Sequence, residues 1–134
     1  MQPNEIQNLS KIRFEHALEV LNEAKLLLTN NNYKGAANRS YYASFHAMRA
    51  VLAYDGIDMK RHSGILSSFQ RLYIKTGIFE KDFSDILTIL FEIRTNSDYD
   101  DYYIVSKEKV TQQVVNAELF INKVKEFLDA KSTA

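Results

Sequence analysis

Val110, Val114, Ala117, Ile121, Val124 and Leu128 recur at intervals of four, three, four, three and four residues. That is one apolar seam along a helix that packs at a shallow angle against its neighbours. The same three-and-four spacing governs the apolar residues upstream, so the reading is helical throughout. Turn residues are scarce: one proline, at position 3, and four glycines in 134 residues. Strand-rich domains usually need more of them. The expected fold is all-α.

Five helices follow from the pattern. The first is expected over residues 5–28, with Phe14, Ala17, Leu21, Ala24 and Leu28 as its stripe and Leu18 and Leu27 widening it. Asn30, Asn31 and Asn32 end it, since Asn favours turns and caps. The second is expected over 33–54, with Ala37, Tyr41, Ser44, Met48 and Val51 on one stripe. Its small residues Ala36, Ala37, Ala43 and Ser44 permit close helix approach, and Asp55-Gly56 stops it. A shorter third helix, 61–75, carries Ile65, Leu66, Phe69 and Leu72 and ends at Thr76-Gly77. The fourth, 81–99, aligns Phe83, Leu87 and Leu90, flanked by Ile86 and Phe91. The fifth, 107–130, opens on Ser106 as N-cap with Glu108 in its first turn, leaving only a short tail. Short connections make neighbours antiparallel, so the expected architecture is an up-and-down antiparallel bundle of four long helices plus one shorter helix. Residues 1–134 suit a single domain, with a core over about 5–130. A chain of this size buries roughly two-thirds of its unfolded surface.

Composition excludes several classes. There are no cysteines, hence no disulfides and no cysteine zinc site, which fits a reducing, cytoplasmic compartment. Met1-Gln-Pro-Asn-Glu-Ile lacks the basic start and apolar run of a signal peptide. No stretch reaches the ~20 apolar residues of a membrane span, so no membrane association is expected. Seventeen Lys and Arg balance seventeen Asp and Glu. Any RNA must therefore be held by a local patch. His16, His46 and His62 share no ligand spacing, and Asp98, Asp100 and Asp101 lack the glycine and final Glu of a calcium loop. No metal site and no cofactor are expected. There is no glycine-rich phosphate loop and no nucleophile motif.

Three groups of residues break the apolar pattern. Arg94 lies four after Leu90, seven after Leu87 and eleven after Phe83, so it continues a core stripe. An arginine there needs a partner, because an uncompensated buried charge costs several kcal/mol. Asp98 stands one turn on, and Tyr99 follows it. Arg39, Tyr42 and His46 share a helix face, separate from the Tyr41 stripe, and suit an anion such as phosphate. The bland alternative is a solvated face with a snorkelling arginine. Lys60-Arg61-His62 is a short basic cluster where a helix begins, able to recruit an anion or simply to lie in solvent.

Taken in order, Ala37-Asn-Arg-Ser-Tyr-Tyr-Ala-Ser-Phe-His-Ala47, then Lys60-Arg-His62, then Arg94-Thr-Asn-Ser-Asp-Tyr99, resemble the HEPN domains (higher eukaryotes and prokaryotes nucleotide-binding). The closest likeness is to the small stand-alone prokaryotic branch with an Arg-x-x-x-Asp-Tyr motif, over about residues 10–128. The resemblance implies a four-to-five-helix bundle, a homodimer, and pairing with a minimal nucleotidyltransferase as toxin and antitoxin. Catalytic members are metal-independent ribonucleases with an Arg, four to six residues, then a His. Arg94 matches that arginine. Positions 99, 100 and 101 are Tyr, Asp and Asp, so the histidine does not carry over.

Three readings follow. In the first, Arg94 clamps a nucleotide or RNA phosphate, Asp98 orients it, and Tyr42 and Tyr99 stack or hydrogen-bond, with Arg39, His46 and His62 nearby; the same surface alternatively docks a nucleotidyltransferase. In the second, the chain is a ribonuclease toxin in which Arg94 stabilises the transition state and His62 or His46 enters from another helix. In the third, the polar cluster only fixes helix register in an assembly subunit. Phe45, Tyr73 and Phe79 are spare aromatics for a dimer interface.

Overall fold

A computed structural model describes residues 2–132. Its elements are α1 (Pro3–Thr29), α2 (Tyr33–Tyr54), α3 (His62–Phe69), α4 (Asp82–Tyr99) and α5 (Lys107–Ser132). The fold is the all-α bundle that the periodicity implies, with α3 the short helix and no strand among the described residues. Helix α1 starts two residues earlier than expected because Pro3, with its fixed φ and missing N–H, sits at the first helical positions. The short tail expected beyond 130 is helical through Ser132; residues 133 and 134, like residue 1, lie outside the described part.

The turn between α1 and α2 is built by its three asparagines. Asn31 takes φ +62°, a left-handed value that Asn tolerates better than most residues. Asn32 caps α2: its Oδ1 accepts from the Gly35 backbone N–H at 2.9 Å. A Cβ on Gly35 would stand 2.9 Å from that oxygen, so the cap and the glycine depend on each other. At the same end of the bundle, where Val105 and Val110 pack with Leu28, Tyr33 and Ala36, Ser106 Oγ accepts from Lys109 N at 3.2 Å and caps α5 as its sequence position suggests.

Helix α3 does not run evenly to residue 75. Residues Gln70–Ile74 form a wider π-type turn, in which Lys75 N donates to Gln70 O at 2.8 Å. The Gln70 amide is held by Ser84 Oγ at 3.1 Å and Thr88 Oγ1 at 3.0 Å, which ties this turn to α4. Apolar spacing carries no mark of that polar tie.

Helix α2 is the axis, packed against α1, α3, α4 and α5. Ala36, Ala43, Ala47 and Ala50 are buried, and Ser10 Oγ of α1 donates to Ala50 O at 2.7 Å, so the two helices lie close. The α5 seam from Val110 to Val124 is buried. Leu18 is exposed, outside the α1 stripe it was expected to widen. Phe45, Tyr73 and Phe79 are not spare interface aromatics either: they are 5%, 3% and 1% exposed. Phe79 packs among Phe69, Tyr73, Phe83, Phe120 and Phe127 at centroid distances of 5.1–6.4 Å. The Tyr73 hydroxyl donates to Asp55. The exposed apolar side chains nearest to the end of α4 are Tyr99, Tyr102 and Ile104, at 74%, 94% and 89%.

Along one rim, α1 and α2 meet in pairs that run in opposite directions. Arg13 and Arg49 share Asp58, His16 stacks on His46 at 4.1 Å, and Glu23 meets Arg39 at 3.5 Å. Burial, then His16 and the arginines 49, 39 and 13, push the His46 imidazole down to about 4.

Two predictions come from this packing. Replacing Gly by Ala inside a helix ordinarily stabilises by about 1 kcal/mol. Here Gly35→Ala should give no such gain while Asn32 is present, and should give it in an Asn32→Ala background; urea unfolding of the four-member cycle measures this. An unfolded imidazole titrates near 6.5. The unfolded chain therefore takes up a proton that native His46 refuses, and stability is lost as pH falls from about 6.5 towards about 4. Melting curves across that range should fall less steeply for His46→Gln than for the unsubstituted protein.

Candidate functional site

Arg94 sits where the buried stripe of α4 reaches the end of the bundle, and its side chain is 12% exposed. Its Nε donates to Asp98 Oδ2 at 3.0 Å and its Nη2 to the Tyr42 hydroxyl at 2.7 Å. Nη1 makes no hydrogen bond among the described residues. The guanidinium carbon is 5.0 Å from the Tyr42 ring centroid, 5.3 Å from Tyr41 and 5.6 Å from Tyr99. Three aromatic faces and two hydrogen bonds thus fix one cation.

The network reaches further into α2. Asn38 Nδ2 donates to the same Asp98 oxygen at 2.9 Å, and Asn38 Oδ1 accepts from Arg39 Nε at 3.0 Å. Arg39 also lies over the Tyr42 ring, at 5.3 Å. Tyr42 therefore stands between two guanidinium groups, one from its own helix and one from α4.

His62, at the start of α3, enters from the side. Its Nδ1 is 2.8 Å from the Tyr41 hydroxyl. Its ring stacks on Phe45, with centroids 4.1 Å apart and planes 16° apart, and meets Tyr42 edge-on at 5.5 Å. Burial pushes the Tyr41 phenol up, so it stays protonated, although Arg94 pulls the other way. No other acceptor for that proton exists among the described residues. Tyr41 therefore donates to Nδ1, and neutral His62 carries its proton on Nε2. Burial, followed by the charges of Arg94 and Arg49, holds the His62 imidazole below its ordinary value. His62 is thus neutral at pH 7 and presents an N–H donor.

The structure gathers Arg39, Tyr42, His62, Arg94, Asp98 and Tyr99 around one point. His46 is turned aside: it stacks on His16 of α1, and its centroid is 6.3 Å from that of Tyr42. Lys60 and Arg61 are exposed. Sequence reasoning missed Asn38, Tyr41, Arg49 and Arg13. For Arg49 the signal was present, because positions 39, 42, 46 and 49 continue one face at three, four and three. Tyr41 belongs to the buried stripe, and only its hydroxyl, bonded to His62, reaches the site. A cavity of about 620 Å3 lies elsewhere, between the π-type turn and α4, lined by Ser67, Gln70, Arg71, Lys75, Lys81 and Ser84 among others. None of the gathered residues borders it.

In chemical terms the ledge offers donors to an anion: a fixed guanidinium, a second one at Arg39, and a neutral imidazole N–H. The exposed Tyr99 ring adds a stacking face.

The family model described as the HEPN domain matches residues 10–127. A "UPF0332 protein" of Thermotoga maritima is 32% identical over 94% of this chain and 96% of its own length. A protein of Methanocaldococcus jannaschii bearing the name "Putative toxin" is 32% identical over 92% of this chain and 89% of its own. A second protein of that organism with the same designation is 29% identical over 88% and 80%. A family match over most of the chain, and nearly full-length relatives above 30% identity, lead to one conclusion: the chain belongs to the HEPN domain family.

Proposed function

We propose that this chain is a toxin-type HEPN protein whose Arg94–Tyr42–His62 ledge binds a phosphate group of RNA or of a nucleotide. The observation that carries this reading is the fixed Arg94 guanidinium with Nη1 unbonded, next to the neutral His62 that presents Nε2–H. Arg94 and Arg39 supply charge, and Tyr42 holds the first in place. Tyr99 offers its face to a base. The toxin designation of two relatives supports the toxin-type role. The exposed Tyr99, Tyr102 and Ile104 give this ledge an apolar border, suited to a second copy of the chain or to a minimal nucleotidyltransferase partner.

A second reading, ribonuclease activity without metal, is favoured by one observation. His62 arrives from α3 beside Arg94 and supplies the imidazole that positions 99–101 lack. To act as a base at Nε2 it must switch tautomer, which requires the Tyr41 hydroxyl to turn and accept from Nδ1–H.

Binding of a labelled oligoribonucleotide tests the first reading. A hydrogen bond to a charged group contributes about 1.5–3 kcal/mol, so Arg94→Ala should weaken binding at least about tenfold. Arg94→Lys should not restore it, because an ammonium cannot hold the Tyr42 and Asp98 contacts and an anion together in one plane. Unchanged affinity in Arg94→Ala sinks the reading. Affinity should also rise as pH falls below the usual histidine range, when His62 becomes a cation, and His62→Gln should flatten that rise. For the second reading, tRNA is incubated without metal: cleavage lost in both Arg94→Ala and His62→Gln establishes it, and intact tRNA removes it.

A further inference from the structure

We infer that Arg13 and Arg49 form a second phosphate seat, which the Asp58 carboxylate fills in the free protein and a phosphate of a bound RNA strand takes over. The inference rests on the RNA-phosphate reading above and extends it along the same face.

Two arginines from two helices converge on a single oxygen. Arg13 Nη2 of α1 and Arg49 Nη2 of α2 donate to Asp58 Oδ1 at 2.9 and 3.0 Å. One carboxylate thus neutralises one of two closely placed cations. The seat remains under-filled. Arg13 Nη1 and Arg49 Nε are enclosed and have no hydrogen-bond partner. An enclosed charged donor left unpaired is costly. A planar carboxylate does not reach all these N–H groups, whereas the tetrahedral oxygens of a phosphate point in more directions and suit two guanidinium forks.

Asp58 is placed to leave. It belongs to the segment between α2 and α3, and its side chain is 48% exposed. Solvent screens such a pair, and exposed ion pairs are weak. The arginines, by contrast, belong to the two most closely packed helices and stay where they are.

The seat is continuous with the Arg94 ledge. The Arg49 guanidinium lies 5.8 Å from the Phe45 ring centroid, and His62 stacks on the same ring. Seven residues of helix separate Tyr42 from Arg49, a rise of about 10 Å. A single strand can therefore reach both points. The chain from Asp58 leads within four residues to His62, which ties the seat to the ledge in sequence as well.

The experiment uses two probes, a labelled single-stranded oligoribonucleotide and inorganic pyrophosphate, with Asp58→Asn and Asp58→Ser as independent variants checked for fold by circular dichroism. Both variants should bind the oligoribonucleotide at least about tenfold more tightly, as expected when a charge-assisted contact becomes available. The slope of log K against log salt should stay that of the unsubstituted protein, since the phosphate holds the seat in either complex, and should flatten by roughly 0.7 when Arg49 is lost, the value for one phosphate contact on a single strand. Adding Arg49→Gln should cancel the gain in both variants. Pyrophosphate should bind Asp58→Asn in calorimetry, should still bind when Arg94→Ala is added, and should be lost with Arg49→Gln. Affinities no better than those of the unsubstituted protein in both Asp58 variants, or gains that persist without Arg49, overturn the seat. Arg49-dependent pyrophosphate binding with no RNA binding in any variant upholds the seat and overturns the RNA reading.

Discussion

Helix α2 is packed on by α1, α3, α4 and α5, and the rest of the molecule is arranged around that constraint. Only small side chains let four neighbours approach one helix, and Ala36, Ala43, Ala47 and Ala50 meet the requirement. The polar residues of α2 then have only the rims in which to lie. One rim faces α1 and holds Arg39, His46 and Arg49. That rim continues into the opening towards α4 and α3, where Tyr41 and Tyr42 point their hydroxyls at His62 and Arg94. The candidate site is thus a consequence of how α2 is enclosed.

The network around Arg94 makes poor sense as a device for stability alone. Leucine at position 94 would extend the stripe of Phe83, Leu87 and Leu90 and need no partners. Replacing buried ion pairs by well-packed apolar residues is often neutral or stabilising. Instead Asn38, Tyr42 and Asp98 are committed, from two helices, to holding one guanidinium. Asn38 bonds the same Asp98 oxygen that Arg94 uses, so a residue of α2 holds the carboxylate in place against the arginine. Such preorganisation suits recognition, because little side-chain freedom remains to be lost when an anion arrives.

How much of this was legible follows from what periodicity can carry. The helices, the α5 seam, the Asn32 turn and the Ser106 cap all leave marks at fixed local spacings, and those marks were readable. Arg94 stood out because it interrupts an apolar stripe, and its i+4 partner Asp98 was within the same helix. The link from Arg94 to Tyr42 spans 52 residues, and that from Tyr41 to His62 spans 21. No local rule reports such pairs. Aromatic residues were the hardest to place. Phe45, Tyr73 and Phe79 were readable as interface or core, and the core claimed them: Tyr73 and Phe79 pack into the Phe69–Phe120 cluster, and His62 stacks over the Phe45 ring. Asn38 was invisible, since a single Asn in a helix matches many roles and only the neighbouring helix selects one.

The charge state of His62 gives the site its particular character. Two full cations side by side would repel, and the position of His62 near Arg94 and Arg49 depends on its remaining neutral. On the proposed reading, an arriving phosphate reverses that balance. Its negative charge favours the imidazolium, so the His62 pKa rises on binding and a proton is taken up with the ligand. On protonation both ring nitrogens become donors, and the Tyr41 hydroxyl, free to rotate, turns from donor to acceptor at 2.8 Å without any backbone movement. Tyr41 therefore suits either charge state: it donates to the His62 that burial, Arg94 and Arg49 keep neutral in the free protein, and on the proposed reading it accepts from the imidazolium.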